Sequence, residues 1–237
     1  MSRPSIVLSL VVRNEADRYL PAMLDRTLPL VDAAVVIDDA SEDATPDLCE
    51  KALKRHGKDG RVVHLETSLF HREHELRLLA WNAALELRPT WLLILDADEL
   101  IEERSLKVLP LLFKLDTADA VTFRFFDMWD EHRYRDDDLW TIHRRDIPRL
   151  TRVEDQAPAE MWFQKDQHCG AWPPGFIESR KRWLRSGLRV QHLGWSREAD
   201  RKAKHERYMR LDPEGKHGSL PQYHSILDPH PNLVEWK

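Results

Sequence analysis

Residues Trp91-Leu92-Leu93-Ile94-Leu95-Asp96-Ala97-Asp98-Glu99-Leu100 form an apolar run that ends in acids. The run has the length and composition of a strand that is buried on both faces of a parallel sheet. Alternate side chains of a strand point to the same side, so Asp96 and Asp98 are expected to face one point beyond the strand end. Open α/β sheets bind ligands at this edge. Two converging carboxylates suit a hard divalent cation that also contacts substrate phosphates.

Asp98 and Glu99 also have a purely structural interpretation. They precede the segment 101–106, and acids are common where a helix begins because they interact favourably with its free amide groups. From this stretch alone, a ligand site and a helix cap are equally good interpretations of the acids. Together with the motifs described below, it leads us to assign the cap to Glu99 and to keep Asp96 and Asp98 for a ligand.

The composition is that of a globular protein and excludes several other classes. Of the 237 residues, 42% are hydrophobic and 32% are charged, which excludes an intrinsically disordered chain. The net charge of −5, with both signs mixed, argues against a nucleic-acid-binding protein. We find no apolar run of membrane-spanning length and no signal peptide. Cys49 and Cys169 form neither a disulfide framework nor a CxxC pair, so we expect a cytoplasmic protein.

Predicted strands alternate with predicted helices in the first half of the chain. The strands are expected at 6–12, 33–37, 61–65, 91–95 and 120–126. The helices are expected at 16–28, 45–56 and 73–87. This alternation predicts an α/β protein with a doubly wound, mostly parallel sheet.

After residue 126 the chain becomes denser in charge and aromatic residues. Short strands are predicted at 148–152, 161–164 and 188–192, and a final helix at 197–211. We therefore divide a single domain into two parts. Residues 1–126 are predicted to form a nucleotide-binding α/β half, and residues 127–237 an elaborated C-terminal half that differs between substrates.

Asp38 and Asp39 follow the second predicted strand and therefore lie at the same sheet edge as Asp96 and Asp98. A carboxylate there can accept hydrogen bonds from a base N–H or from ribose hydroxyls. An Asx-turn plus a helix cap at Asp39-Ala40-Ser41 explains this motif equally well. Neither GxGxxG nor a P-loop motif occurs, so a bound diphosphate needs a metal ion and basic side chains such as Arg77.

Taken in order, four segments resemble the family 2 glycosyltransferases of the GT-A fold. They are Asn14-Glu15, the segment 38–45, Trp81-Asn82-Ala83-Ala84 and the DxD-containing segment 95–99. The resemblance covers roughly residues 4–126, and the segment from His192 to Pro229 is similar to the end of a bacterial branch of that family. It implies a hexosyltransferase-like enzyme that moves a sugar from a nucleotide diphosphate sugar to an acceptor hydroxyl, with inversion and with Mn²⁺ or Mg²⁺. It also implies that the enzyme acts in the synthesis of surface glycans or polysaccharides.

The resemblance also implies roles for individual residues. Asp39 matches the acid that reads the base N–H, Asp98 matches the metal ligand, and Asp96 matches an acid that contacts ribose or metal. His192 stands where such enzymes place a histidine that reaches the metal or the diphosphate, and a nitrogen ligand favours Mn²⁺ over Mg²⁺. Arg13 stands where many members have an aromatic residue. The expected donor-binding residues are Val11, Arg13, Glu15, Ile37, Asp39, Arg77, Asp96 and Ala97; the expected metal ligands are Asp96, Asp98 and His192.

The general base is less well marked. Related members carry an acid pair or a His-Glu dipeptide between the DxD strand and the late histidine, and this position reads His168-Cys169 here. We predict Asp166 and His168 as the catalytic candidates, with Glu154-Asp155 as a second choice. The basic helix 197–210 is either a solvated, salt-bridged face or a closing segment. In the second case Arg201, Lys204 and Arg207 approach the diphosphate or an anionic acceptor.

Several alternatives remain open at the level of the sequence. UDP is the favoured nucleotide because Asp39 suits the uracil N–H, although guanine and thymine present a similar donor. The acceptor is an unknown glycan, lipid-linked or protein hydroxyl, and peripheral association with a membrane stays open. The competing classes are a sugar-phosphate nucleotidyltransferase and a degenerate transferase that acts as a carbohydrate-binding module.

Overall fold

A computed structural model describes residues 6–112, 117–153 and 168–237. Within these ranges the strands are β1 (Ile6–Val12), β2 (Ala33–Asp38), β3 (Asp59–His64), β4 (Trp91–Ile94), β5 (Glu99–Ile101), β6 (Ala120–Asp127), β7 (Arg133–Arg135), β8 (Ile147–Arg152), β9 (Trp183–His192) and β10 (Leu233–Glu235). The α-helices are α1 (Leu20–Thr27), α2 (Thr45–Arg55), α3 (Glu73–Leu85), α4 (Glu103–Leu106), α5 (Leu109–Leu112), α6 (Glu198–Leu211) and α7 (Leu220–Ser225).

Eight of these strands form one sheet in the order β3-β2-β1-β4-β8-β6-β9-β5, and β7 pairs with β10 separately. The pairs β1–β2, β2–β3, β1–β4 and β6–β9 are parallel, whereas β4–β8, β6–β8 and β5–β9 are antiparallel. The predicted α/β fold with a mostly parallel sheet is therefore confirmed. Strands β8 and β9 come from the second part of the chain, so both predicted parts contribute to this sheet. The strand predicted at 161–164 lies outside the described residues.

Helices cover both faces of the sheet. On one face Leu8 of β1 shares a buried cluster with Leu24 of α1 and Cys49 of α2. On the other face Val7 of β1 shares a cluster with Trp81 of α3. Adjacent residues of β1 are thus buried on opposite sides, which is why the strand reads as an unbroken apolar run.

Glu99 does not cap a helix, and that prediction is wrong. It lies in β5, opposite His192 of β9. Leu100 and Ile101 are both buried, so this segment continues as a short strand and α4 begins only at Glu103. The Glu99 carboxylate accepts hydrogen bonds from the Asp96 amide at 2.9 Å and from Arg149 at 2.5 Å. Glu99 therefore fixes the turn that carries the DxD acids.

A second core surrounds Arg135 in β7. Its side chain is 2% exposed and lies over the rings of Trp129 and Trp140, at 4.7 and 5.1 Å from their centroids. The guanidinium pairs with Asp137 at 2.6 Å and with Asp228 at 3.2 Å. A buried cation needs such partners because burial removes its hydration. Arg135 thus joins the tryptophan cluster to the C-terminal segment.

Arg135→Met is expected to destabilise the protein by about 3 kcal/mol, the lower part of the range for breaking a buried ion pair, because Asp137 and Asp228 keep some contact with water. The matched control is Arg133→Met in the same strand, which removes a half-exposed pair with Asp130 and is expected to cost about 0.5 kcal/mol. Denaturant unfolding measures both losses. Equal losses would contradict the structural role given to Arg135.

Candidate functional site

The carboxyl ends of six strands meet at one edge of the sheet. Strands β1 to β4 are mutually parallel, and β6 and β9 run in the same direction because the antiparallel β8 lies between β4 and β6. The side chains at or just beyond these ends include six of the predicted site residues. They are Arg13, Glu15, Asp39, Asp96, Asp98 and His192, together with Asp127, which the sequence analysis did not single out.

His192 lies between two acids. Its Nε2 is 3.6 Å from Asp98 Oδ2, and its Nδ1 forms a 2.7 Å hydrogen bond with Asp127 Oδ1. Asp127 and His192 are register partners in the parallel pair β6–β9. Burial by itself lowers the pKa of His192, but the Asp98 charge and the hydrogen bond to Asp127 outweigh it and raise the pKa to about 10. The signal for Asp127 was an acid at the end of an apolar strand, the same signal that marked Asp96.

Lys204 of α6 also reaches Asp98. Its Nζ is 3.3 Å from Asp98 Oδ2 and 4.4 Å from the centroid of the Trp195 ring. A Cβ at Gly194 would lie 2.1 Å from Asp98 Oδ2 and 2.2 Å from Lys204 Nζ, so only glycine permits this approach. Burial of Asp98 acts to raise its pKa, yet Lys204 and His192 hold that pKa far below its usual value. The Asp98 carboxylate is therefore kept ionised by two cations.

Asp96 is paired with a different cation. Arg77 of α3 donates to Asp96 Oδ1 at 3.1 Å and to Glu73 Oε1 at 3.2 Å. Although burial acts to raise the pKa of Asp96, the nearby Arg77 and Arg149 charges lower it. The Asp96 side chain remains 35% exposed, so it can still contact a ligand. Arg77, which was predicted as a basic side chain for a bound diphosphate, thus lies beside one of the DxD acids. Ala97, between the two acids, is buried.

Asp39 is buried under the segment 68–69. Its carboxylate accepts hydrogen bonds from the Leu69 amide at 2.6 Å and from the Ser68 hydroxyl at 2.7 Å. Arg13 approaches it at 3.5 Å and also contacts Ser68. These contacts place Arg13 and Asp39 together, as predicted for a base-binding site. They also show that Asp39 holds a loop against the sheet edge.

The Asx-turn predicted at Asp39 does not form, because the Asp39 carboxylate is bonded to Ser68 and Leu69. The turn after β2 is stabilised by Asp38 instead. The Asp38 carboxylate accepts hydrogen bonds from the Ser41 amide at 3.1 Å and from the Ser41 hydroxyl at 2.5 Å, and it contacts His64 at 2.6 Å. The two neighbouring acids thus have separate roles, with Asp38 shaping the turn. Val11 and Ile37 contribute to the apolar cluster under this edge.

Glu15 connects the end of β1 with α6. Its amide donates to the Thr45 hydroxyl at 2.8 Å, and its carboxylate pairs with Arg18 at 3.2 Å. Arg18 in turn pairs with Asp200 of α6 at 3.2 Å. Burial raises the pKa of Glu15 to about 7. The loop after β1 is therefore tied to the same helix that supplies Lys204.

The three basic residues of α6 that were singled out from the sequence differ in their contacts. Lys204 reaches the site, as described above. Arg201 instead donates to the carbonyl oxygens of Trp129 at 2.9 Å and Trp195 at 2.6 Å, which is a packing role. Arg207 lies 5.1 Å from the centroid of the Phe70 ring. Only Lys204 among them pairs with a DxD acid in the described part of the chain.

Of the predicted catalytic candidates, only His168 can be placed. Its Nε2 is 3.2 Å from the Tyr223 hydroxyl, and its ring lies 5.4 Å from that of Tyr208 in α6. The following amide, of Cys169, donates to Glu73 at 3.4 Å, and Glu73 pairs with Arg77. Asp166 and Glu154-Asp155 lie outside the described residues.

The residues present fit a divalent cation that is held by fewer protein ligands than the three predicted. In the described ranges no three His, Cys, Asp or Glu side chains converge as a metal site, so the predicted trio of Asp96, Asp98 and His192 is not assembled. Asp96 is turned to Arg77, whereas Asp98 and His192 adjoin one another. The Nδ1 bond from His192 to Asp127 is the outer contact that orients a ligating imidazole. Ions that bind phosphates commonly use one or two carboxylates and keep water.

Solved structures share this fold. TarS of S. aureus aligns with a TM-score of 0.54 and 16% identity, over 94% of this chain and 42% of TarS. TarS 1–349 in complex with UDP aligns with a TM-score of 0.53 and 16% identity, over 94% of this chain and 69% of that chain. Mannosyltransferase PcManGT from Pyrobaculum calidifontis, in complex with GDP-Man and Mn²⁺, has a TM-score of 0.51 and 16% identity, over 95% and 68% of the two chains. At this identity the likeness shows the fold, and it confirms the predicted GT-A architecture.

The chain belongs to glycosyl transferase family 2, whose family model matches residues 9–164. Uncharacterized proteins of Mycobacterium tuberculosis (Rv3786c) and Mycobacterium bovis (Mb3815c) are each 28% identical to it over 223 residues, covering 88% of this chain and 51% of theirs. The chain thus spans about half the length of the curated relatives it matches. Among the helices of the described residues, none is long and apolar enough to cross a membrane.

The pKa of His192 provides a test of the site geometry. In the metal-free protein we expect His192 to stay protonated at pH 8, and Asp98→Asn to lower its pKa by at least one unit. The folded-state pKa lies above the unfolded value of about 6.5, so protonation of His192 stabilises the folded protein. This stabilisation is fully present below about pH 6.5. It is then lost as the pH rises towards the folded-state value. An NMR titration of the imidazole measures the pKa, with the exposed Glu214→Gln as control; a pKa near 6.5 in the wild type would refute the geometry.

Proposed function

We propose that the protein is an inverting glycosyltransferase that takes a sugar from a nucleotide diphosphate sugar and uses a divalent cation. The observation that carries the proposal is the Asp98–His192–Asp127 cluster at the carboxyl edge of the sheet, in a chain of glycosyl transferase family 2. The proposal is also supported by the DxD acids at the end of a buried strand and by the cations around them. The division into a nucleotide-sugar-binding part, 1–126, and an acceptor-binding and closing part, 127–237, belongs to the same proposal.

The proposed donor site runs from Asp39 to Asp98 along the sheet edge. Asp39 accepts the hydrogen bond of the base N–H, beside Arg13, and Asp96 contacts the ribose. Asp98 and His192 would hold the cation, which would supply positive charge that stabilises the leaving diphosphate. Arg77 and Lys204 supply further positive charge near the diphosphate, and Lys204 leaves Asp98 for the phosphate oxygens when the donor binds.

Inversion requires a single displacement. The acceptor oxygen attacks the anomeric carbon while the bond from that carbon to the diphosphate breaks, and the pair of electrons leaves with the diphosphate. The acceptor proton passes to a general base, for which Asp166 and His168 are the candidates. Cys169 is buried, and burial raises the pKa of its thiol to about 12, so it is a poor nucleophile.

The substrates are part of the proposal. UDP is favoured because Asp39 suits the uracil N–H, and complexes of TarS 1–349 with UDP and UDP-GlcNAc exist for the same fold. PcManGT was solved with GDP-Man and Mn²⁺, so a guanine nucleotide and manganese are the matching alternatives. The acceptor is a glycan, lipid-linked or protein hydroxyl. Cys49 and Cys169 are both buried and form no disulfide with each other, which supports cytoplasmic residence.

Asp98→Asn is expected to lower Mn²⁺-stimulated turnover of the donor by about 10²-fold or more, since the ion loses its anionic protein ligand. UDP-glucose, UDP-GlcNAc and GDP-mannose are first screened by thermal shift with and without Mn²⁺, because a bound ligand raises apparent stability. Release of nucleotide diphosphate then measures turnover, and Glu214→Gln, at an exposed acid, is the control. Turnover that is unchanged by EDTA or by Asp98→Asn would refute the proposed metal dependence. Lys204 would then be the cation that stabilises the leaving diphosphate.

Asp39→Ala is expected to weaken nucleotide binding by about tenfold or more, the equivalent of a hydrogen bond to a charged group. The same change releases the Leu69 amide, so loop anchoring must be separated from base recognition. Ser68→Ala is the control, because it removes a loop contact to Asp39 and leaves the carboxylate in place. Calorimetry with UDP and GDP measures both variants. Equal weakening in Asp39→Ala and Ser68→Ala would assign Asp39 to the loop alone.

A further inference from the structure

We propose that His168 is the general base of the transfer and that Tyr223 and Asp212 are positioning residues that hold it in one tautomer. This inference rests on the proposed function and names the residues that handle the acceptor proton. The proton of the acceptor hydroxyl passes to His168 Nδ1 as the bond from the acceptor oxygen to the anomeric carbon forms. The electrons of the bond that breaks leave with the diphosphate.

The first step of the reasoning concerns Asp212, a buried carboxylate. Its residue is 3% exposed, and its oxygens accept hydrogen bonds from the amides of Lys216, His217 and Gly218 at 2.7, 3.0 and 3.0 Å. Burial acts to raise the pKa of Asp212, but these hydrogen bonds and one from Tyr223 hold it below its usual value. An ionised carboxylate only accepts hydrogen bonds. Asp212 is therefore fixed as an acceptor.

The second step concerns the Tyr223 hydroxyl, which donates to Asp212 Oδ2 at 2.9 Å. Tyr223 is 3% exposed, and burial together with the bond to Asp212 raises the pKa of its phenol, so the hydroxyl keeps its proton. That single proton is committed to Asp212. Towards His168, 3.2 Å away, the Tyr223 oxygen can consequently only accept.

The tautomer of His168 follows from these two contacts. The Nε2 of His168 must carry the hydrogen that Tyr223 accepts, so in the neutral ring Nδ1 is left with the lone pair. Desolvation lowers the pKa of His168 in spite of the nearby Glu73 and Asp212 charges, which keeps the imidazole neutral and able to accept a proton. This is the state that a general base requires.

Backbone features hold the group together. A Cβ at Gly218 would lie 2.0 Å from the Tyr223 hydroxyl oxygen, so glycine is required for Tyr223 to reach its place. His168 has φ of +56°, in the left-handed region that residues other than glycine rarely adopt. Residues held in such conformations cluster at functional sites.

The location of His168 agrees with a role at the donor site. Lys204 and Tyr208 are one turn apart on α6, a rise of about 6 Å. Lys204 contacts Asp98, and Tyr208 packs against the His168 ring. A second connection runs from Asp96 through Arg77 and Glu73 to the amide next to His168. His168 is therefore linked to the DxD acids both through α6 and through the Arg77–Glu73 pair.

The first experiment reads the tautomer without any activity. Long-range ¹H–¹⁵N NMR of the histidine rings, with His168 assigned by comparison with His168→Gln, is expected to show hydrogen on Nε2. Tyr223→Phe should shift His168 towards a mixture of both tautomers, and Tyr134→Phe, at a tyrosine of β7, should leave it unchanged. Hydrogen on Nδ1 of His168 in the wild type overturns the inference, whatever the protein catalyses.

The second experiment measures donor hydrolysis, in which water takes the part of the acceptor. With the nucleotide sugar that gives the largest thermal shift, His168→Gln is expected to lower kcat by about 10²-fold or more while KM stays near the wild-type value. Tyr223→Phe should lower kcat about tenfold, and it should have no further effect in a His168→Gln background, because it acts through His168. Tyr134→Phe should retain the wild-type rate.

The outcomes separate the two proposals. Additive losses in the double variant would mean that Tyr223 does not act through His168, and they overturn its positioning role. If His168→Gln keeps the wild-type kcat, or if only Asp166→Asn loses activity, His168 is not the base. The proposed glycosyltransferase function is then unaffected. A wild type that neither binds nor hydrolyses any of the nucleotide sugars overturns the proposed function itself, while the NMR result on the tautomer still stands.

Discussion

The balance of charge at the carboxyl edge of the sheet is the constraint on which the rest of the site depends. Parallel strands place Asp96, Asp98 and Asp127 at the same edge, and unit charges 4 Å apart interact by about 4 kcal/mol at an effective dielectric constant of about 20. Carboxylates gathered at one edge are therefore stabilised by cations beside them. Arg77 pairs with Asp96, Lys204 pairs with Asp98, and His192 pairs with Asp127.

Helix α6 connects this edge to the second part of the chain. Lys204 pairs with Asp98, Tyr208 packs on His168, and Asp200 pairs with Arg18 in the loop after β1. One helix thus contacts the proposed metal ligand, the proposed base and the loop of the nucleotide site. Movement of α6 would alter all three together, which is what the proposed role as a closing segment requires. The ion pair between Lys204 and Asp98 is the contact that donor binding would have to rearrange.

Local patterns in the sequence predicted the strands and their terminal acids well. The apolar runs of β1, β2, β4 and β6 lie close to their predicted limits, because an unbroken apolar run bounded by polar residues has few alternatives to a buried strand. The position of Asp98 and Asp39 at one edge followed from strand direction, whereas that of His192 was implied by the family resemblance. The cap assigned to Glu99 failed because pairing with β9 extends the chain there, and such a pairing is not visible in local sequence.

The sequence by itself determined the strand order along the chain, the placement of the DxD acids at a strand end and the family of the protein. These features depend on neighbouring residues, whose spacing is preserved in the linear chain. The tertiary structure decided which charge pairs with which. Asp127 adjoins His192 from 65 positions away, Lys204 reaches Asp98 across 106, and Tyr223 reaches His168 across 55. Electrostatic and hydrogen-bond partners depend on distance in space, and only the folded sheet and the packing of α6 bring these residues within a few ångströms.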